Sequence, residues 1–150
     1  MSNPNRRNFL AVAAYVAMVP AVAFAEAKID THINKQALGG YDAVAYFSDK
    51  AAKPGLPQNR LSWNGADWLF ASAENMGLFA ANPEKYAPQY GGFCAFAAAK
   101  GSLAGGDPTV WTVVDGKLYI NLSSSVKTLW TKDIPGNISK ADANWPSLSK

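Results

Sequence analysis

Apolar residues in this chain gather in short runs, and two pairs of runs are joined by a two-residue turn. Arg60 to Trp63 and Ala66 to Phe70 flank Asn64-Gly65, while Trp111 to Val114 and Lys117 to Ile120 flank Asp115-Gly116. Asn-Gly and Asp-Gly readily adopt the positive φ angles of a type I′ turn, so both regions predict β-hairpins, with Leu61 and Trp63 on one face of the first. After the first hairpin the spacing becomes helical. Met76, Phe79 and Ala80 form an apolar stripe, Ser72 stands where a cap is needed and Glu74 lies near the positive end. These signals predict a helix from Ala73 to about Ala81, and Asn82-Pro83 predicts a further helical turn.

The remaining segments carry weaker signals. Residues 26–40 are polar and mixed, ending in Gly39-Gly40, and read as a lead-in or short edge strand. Tyr41 to Phe47 is aromatic and β-branched enough for a short strand, and Lys50 to Gln58, with Pro54, Gly55 and Pro57, reads as a loop. Gly91-Gly92 breaks the chain before an Ala-rich helix from Phe93 to Lys100 that carries Cys94 and stops at Gly101. Asp107-Pro108 repeats the cap-then-proline signal. Ser123 or Ser124 caps a helix through Trp130, and Ile134 to Asn144, with Pro135 in its first turn, reads as the last helix. The pattern predicts an α+β fold: a small antiparallel sheet from two β-hairpins, covered by several short helices.

The first 25 residues read differently. No Asp or Glu precedes Glu26, Arg6 and Arg7 are followed by Asn8, Phe9 and Leu10, and an apolar stretch then runs to about Val22. The Arg pair matches a twin-arginine export signal. The stretch is short of the roughly 20 apolar residues that a membrane span requires, and Pro20 interrupts it. Ala23 and Ala25 supply the small side chains that a signal peptidase accepts, which predicts cleavage after Ala25. An uncleaved anchor is the alternative. The expectation is a periplasmic protein that meets the twin-arginine translocase and signal peptidase during export, has no membrane span after cleavage, and retains 26–150 as a single domain.

Charge and cysteine content then narrow the function classes. Of 14 basic residues two are Arg6 and Arg7, so the remaining 12 face 11 acids and the formal charge drops from +3 to about +1. A near-neutral surface without a Lys/Arg cluster has little grip on phosphate backbones and argues against nucleic acid as a partner. With one cysteine, Cys94, no internal disulfide can form, and stability must come from packing.

Cys94 is also the sharpest chemical lead. It follows Gly91-Gly92 near a predicted helix start, where the helix dipole favours thiolate. Cu(I) accepts sulfur and imidazole, so in the chain expected after cleavage Met76 and His32, the only histidine, are the other soft or borderline side chains available for a copper ion. Against this stand plain readings: Cys94 as a buried small hydrophobe beside Phe93 and Phe96, Met76 as core, His32 as an exposed or satisfied histidine. A nucleophile with His32 as base and Asp42 as orienting carboxylate exists on paper, but no G-x-S-x-G or H-E-x-x-H supports it. Asp42, Asp107, Asp115 and Asp133 each adjoin Gly, Pro or a turn, and turn chemistry explains them without calcium. Tyr41, Tyr46, Tyr90 and Trp111 are candidates to line a small pocket for an apolar or planar ligand, with core packing as the default.

The run WNGADWLFASAENMGLFAANPEKY from Trp63 to Tyr86 resembles the YHS domain: an aromatic, an Asn-Gly turn, aromatic-x-Phe-x-Ser, a helix ending in Phe, then Asn-Pro-x-x-Tyr. GGYDAVAYF from Gly39, YGGFCAFAAAKG from Tyr90, DPTVWTVVDGKLYIN from Asp107 and DIPGNISKADANWP from Asp133 look like its extended exported branch. The resemblance implies a small binding module of strand hairpin and helix. Metal-handling relatives place cysteines where this chain has Ala45, Ala71 and Asn75, so the resemblance does not carry a thiolate cluster onto it. The expected function is periplasmic binding, of copper through Cys94 or, alternatively, of a small ligand or protein partner at a metal-free aromatic pocket; a thiol redox role is the third reading.

Overall fold

A computed structural model describes residues 28–150. The expected signal, with Arg6, Arg7, Ala23 and Ala25, lies outside the described residues. Both predicted hairpins are present: β1 (Leu56–Trp63) pairs with β2 (Ala66–Phe70), and β3 (Asp107–Val114) with β4 (Lys117–Asn121), each antiparallel and each its own two-stranded sheet. The turn residues adopt the left-handed conformation for which they were suited, with φ of 51° at both Asn64 and Asp115. Among the described residues six helices complete the α+β fold: α1 (Ala45–Ser48), α2 (Ala73–Ala81), α3 (Pro83–Tyr86), α4 (Ala95–Ala99), α5 (Ser124–Thr131) and α6 (Ile134–Leu148). Their starts follow the sequence signals. Ser72 Oγ accepts from Asn75 N at 3.1 Å, Ser123 Oγ from Val126 N at 3.2 Å, and Asp133 Oδ1 from Gly136 N at 3.0 Å.

The two halves repeat one another, at the same interval to within one residue. A 3-10 turn at Ala37–Gly40 corresponds to one at Gln89–Gly92, and their left-handed residues match pairwise: Leu38 with Tyr90, Gly39 with Gly91, Gly40 with Gly92. α1 corresponds to α4. Each hairpin joins an eight-residue to a five-residue strand and has its bulge at the same place, between Leu56 and Arg60 and between Asp107 and Trp111. Ser72 and Ser123 then cap equivalent helices. Trp68 packs tilted on Phe79 at 4.9 Å, as Tyr119 does on Trp130 at 5.4 Å. The correspondence ends after α3: Ala87-Pro88 stops that helix at Tyr86, whereas α6 runs on well past Asn137, the equivalent position.

Three local expectations need correction. Tyr41 to Phe47 is not a strand: Tyr41 makes an isolated bridge to Pro54 and the chain then turns into α1. The reason is Asp42, whose Oδ1 accepts from Val44 N at 2.8 Å and Ala45 N at 3.2 Å, holding the N–H groups of a helix start. The loop expected to Gln58 already enters β1 at Leu56. Asp107-Pro108 starts β3 rather than a helix, with Asp107 Oδ1 accepting from Thr109 N at 2.9 Å, an Asx turn on a strand end.

Packing forms two clusters. The first includes Val44, Tyr46, Trp68, Phe70, Phe79, Leu118 and Ile120; the second includes Tyr90, Ala95, Ala98, Tyr119, Trp130 and Ala141. Leu61 and Trp63 both pack on the first, as their shared face predicts. β4 serves both clusters, because alternate strand side chains leave on opposite faces: Leu118 and Ile120 on one, Tyr119 on the other. Each large side chain so buried contributes roughly 1.5–3 kcal/mol. Among the described residues no helix is long and apolar enough to cross a membrane.

Candidate functional site

The helix expected from Phe93 to Lys100 is shorter, Ala95–Ala99, so Cys94 precedes α4 instead of lying within it, and its side chain is only 1% exposed. Its Sγ accepts from Leu122 N at 3.3 Å and lies 3.6 Å from Asn121 Oδ1, which also accepts from Phe96 N at 3.1 Å. The repeat explains this arrangement. Cys94 stands where the first half has Asp42, and Leu122 where it has Ala71, whose N–H donates to Asp42 Oδ2 at 2.8 Å. Backbone bonds match too, Asp42 N to Lys53 O at 2.8 Å and Cys94 N to Ala104 O at 2.9 Å. The sulfur occupies the place of a structural acceptor that ties the end of a hairpin to the helix before it.

Asp42 is itself fully buried and takes four donors: Val44 N, Ala45 N, Ala71 N and, at 2.7 Å, Asn75 Nδ2. Ala45, Ala71 and Asn75 are the three positions at which the YHS resemblance puts cysteines in metal-handling relatives. Distant in sequence, they meet at one carboxylate here: Ala45 and Ala71 donate through their backbone N–H groups and Asn75 through its side-chain amide.

His32 does not meet Asp42. Its Nδ1 lies 2.6 Å from Asp30 Oδ1, while Asp30 Oδ2 accepts from Gly106 N at 2.8 Å. The half-exposed imidazole lies against Gly105, where an added Cβ would come within 2.6 Å of Cε1. Asp30, unremarked in the sequence, is therefore the partner that the single histidine uses; its only signal was its position two residues away. Met76 is partly buried against the first core. Among the described residues no group of three or more His, Cys, Asp or Glu side chains is placed to hold a metal ion.

The four aromatics expected around one pocket are divided among three. Tyr46 and Trp111 meet edge to face at 5.4 Å beside a surface hollow, and Tyr46 OH donates to Pro108 O at 2.7 Å. Burial drives the Tyr46 phenol pKa far above its ordinary value. Tyr41 borders a separate groove with Pro54 and Leu69. Only Tyr90 of the four lines a third cleft, an open space of about 420 Å³ bounded by Trp63, Glu84, Pro88, Tyr90, Asp142 and Trp145 among others.

Each wall of that cleft comes from a different element. Trp63 ends β1, fixed by edge contacts to Trp68 at 5.6 Å and Phe79 at 5.6 Å. Tyr90 belongs to the second 3-10 turn, and its OH donates to Asp142 Oδ1 at 2.8 Å. Burial first, then that hydrogen bond, raises the Tyr90 phenol pKa well above the usual range. Trp145 follows Asp142 by three positions on α6, so both project on the same side of the helix, and its ring meets Tyr90 at 5.8 Å in a T-shaped contact. The cleft thus falls at the seam of the two cores, and sequence reasoning missed Trp63, Asp142 and Trp145 because β1 and α6, distant in the chain from each other and from Tyr90, supply them. No family model, curated protein or solved structure matches the chain.

Proposed function

We propose that this chain is an exported, YHS-like binding module that holds a small molecule in the cleft among Trp63, Tyr90 and Trp145, without a metal ion. The supporting observation is the place where the repeat is broken. α3 stops at Tyr86, but α6 continues to Leu148 and brings Asp142 and Trp145 to the cleft wall. Its volume of about 420 Å³ suits a small ligand, whose pockets run roughly 300–1,000 Å³. Aromatic walls with a few polar groups are the usual composition of such sites.

Copper binding through Cys94, with His32 and Met76, has less support: the sulfur is enclosed and already accepts a backbone N–H. A thiol redox role meets the same obstacle, since reactive cysteines are partly exposed.

The test is native mass spectrometry of the full chain recovered from its own cells, alongside Trp145→Ala and Cys94→Ala. A bound small molecule present in the wild type, lost with Trp145→Ala and kept with Cys94→Ala, is expected. A stoichiometric copper adduct that disappears only with Cys94→Ala would replace this reading with the metal one.

A further inference from the structure

The cleft carries charge information that its aromatic walls alone do not. Among the described residues that line it, Glu84 and Asp142 are carboxylates and none is Lys or Arg. Asp142 Oδ1 accepts the Tyr90 hydroxyl, leaving its other oxygen for a second partner. Lys28 and Lys150 border a neighbouring groove instead. Two backbone effects add to the negative field. Pro146, inside α6, has no N–H to give the Asp142 carbonyl four residues earlier, so that oxygen lacks its regular helical donor. The cleft also lies along the last turns of a 15-residue helix, where the aligned peptide dipoles favour positive charge.

We infer that the cleft selects an organic cation, a quaternary or methylated ammonium group seated against Trp63, Tyr90 and Trp145 with Asp142 and Glu84 as its counter-charges. The inference rests on the cleft being the binding site and specifies what enters it. An anion or phosphate would meet two carboxylates and a helix C-terminus. A neutral planar ligand would use the rings but leave the charges without a partner. A methylated ammonium uses both: its diffuse charge is attracted by the negative faces of Trp and Tyr, and its methyl groups bury apolar surface against them. A small metal cation fits poorly, because two carboxylates with indole rings do not provide the six or more oxygens that hard cations take.

The experiment titrates the full chain with choline and with 3,3-dimethylbutan-1-ol, the neutral compound of the same shape, following tryptophan fluorescence and calorimetry. Choline is expected to saturate, with the neutral compound at least about tenfold weaker. Asp142→Asn should weaken choline several-fold and leave the neutral compound unchanged; Trp145→Phe should retain most choline binding, and Trp145→Ala should abolish it. Circular dichroism of each variant verifies folding. Equal affinity for the two compounds, both lost with Trp145→Ala, would overturn the cation inference while keeping the cleft as a binding site. Choline binding that survives both Asp142→Asn and Trp145→Ala would place the cation elsewhere and overturn it as well. Absence of a saturable response to either compound in a folded wild type rejects the cation inference; if a wider neutral and anionic set also leaves the Trp145 signal unmoved, the cleft reading fails with it.

Discussion

The Asn75 side-chain amide donates to Asp42 Oδ2 at 2.7 Å, joining the first turn of α2 to the segment that enters α1. Three backbone N–H groups converge on the same carboxylate, so Asp42 organises the first half much as Cys94 and Asn121 together organise the second. Asp42→Ala would leave those donors buried without an acceptor. A loss of about 3–5 kcal/mol is expected by urea denaturation, against about 1 kcal/mol for Asn75→Ala, which removes one donor only. Equal effects would mean that the backbone bonds are not what Asp42 supplies.

Cys94 should behave as a core residue. In the native protein a thiol reagent is expected to label it slowly, at a rate set by unfolding, and at once in denaturant. Cys94→Ser keeps an acceptor for Leu122 N and should cost less stability than Cys94→Ala. Rapid native labelling would show that the sulfur is reachable.

Gly91 has a φ of +62°, and an added Cβ would overlap the Lys28 carbonyl oxygen. Its own carbonyl accepts from Asp30 N at 2.9 Å, so the close approach pins the lead-in that carries His32. Gly91→Ala should destabilise by about 2 kcal/mol or more, combining the left-handed conformation with the clash. Thermal unfolding checks the magnitude, with Gly77→Ala as a control, since nothing lies within 4 Å of a Cβ there. That control should be neutral or stabilising, as expected for an unobstructed helix position.

Asp67 accepts from Ser62 Oγ at 2.7 Å and pairs with Arg60. The hydroxyl and then the guanidinium hold its pKa below the ordinary carboxylate value. With a depressed folded pKa, its contribution to the hairpin is present above the unfolded value near pH 4 and lost as pH falls through the folded one. Carbon-detected NMR titration should find this low pKa in the wild type and a return towards the ordinary value in Ser62→Ala.

The tyrosines make the opposite prediction at high pH. Tyr46 and Tyr90 have raised phenol pKa values, chiefly from burial. A raised folded pKa means stability that is full below the unfolded value near 10 and lost as pH rises further. Absorbance titration should show part of the tyrosine signal ionising only together with alkaline unfolding, and Tyr46→Phe should remove one buried phenol from that delayed fraction.

Much of the fold was legible because its signals are short-range. Asn64-Gly65 and Asp115-Gly116 set their turns by their own φ preferences, and Ser72, Ser123 and Asp133 cap from three residues away. Tyr41 to Phe47 misled because strand propensity ignores a buried side chain that captures N–H groups, as Asp42 does. The repeat was also written in the chain, in GGY and GGF, in Asn-Gly and Asp-Gly, and in the two capping serines. Its side chains had diverged so far, Trp68 to Tyr119 and Phe79 to Trp130, that the shared backbone was needed to pair them.

The sequence by itself determined the local pieces: two hairpins, the capped helices, the α+β class, and a lone thiol beside a Gly-Gly break. Tertiary structure decided how those pieces meet. It placed Asp142 beside Tyr90, His32 beside Asp30 rather than Asp42, and the Cys94 sulfur in a closed interior. It also kept Tyr46 and Trp111 together but sent Tyr41 and Tyr90 to two other surfaces. The physical reason is range. Turns and caps are settled within a few residues by backbone sterics and hydrogen bonding, whereas a cleft exists only where packed elements leave space between them, and no local preference encodes that gap.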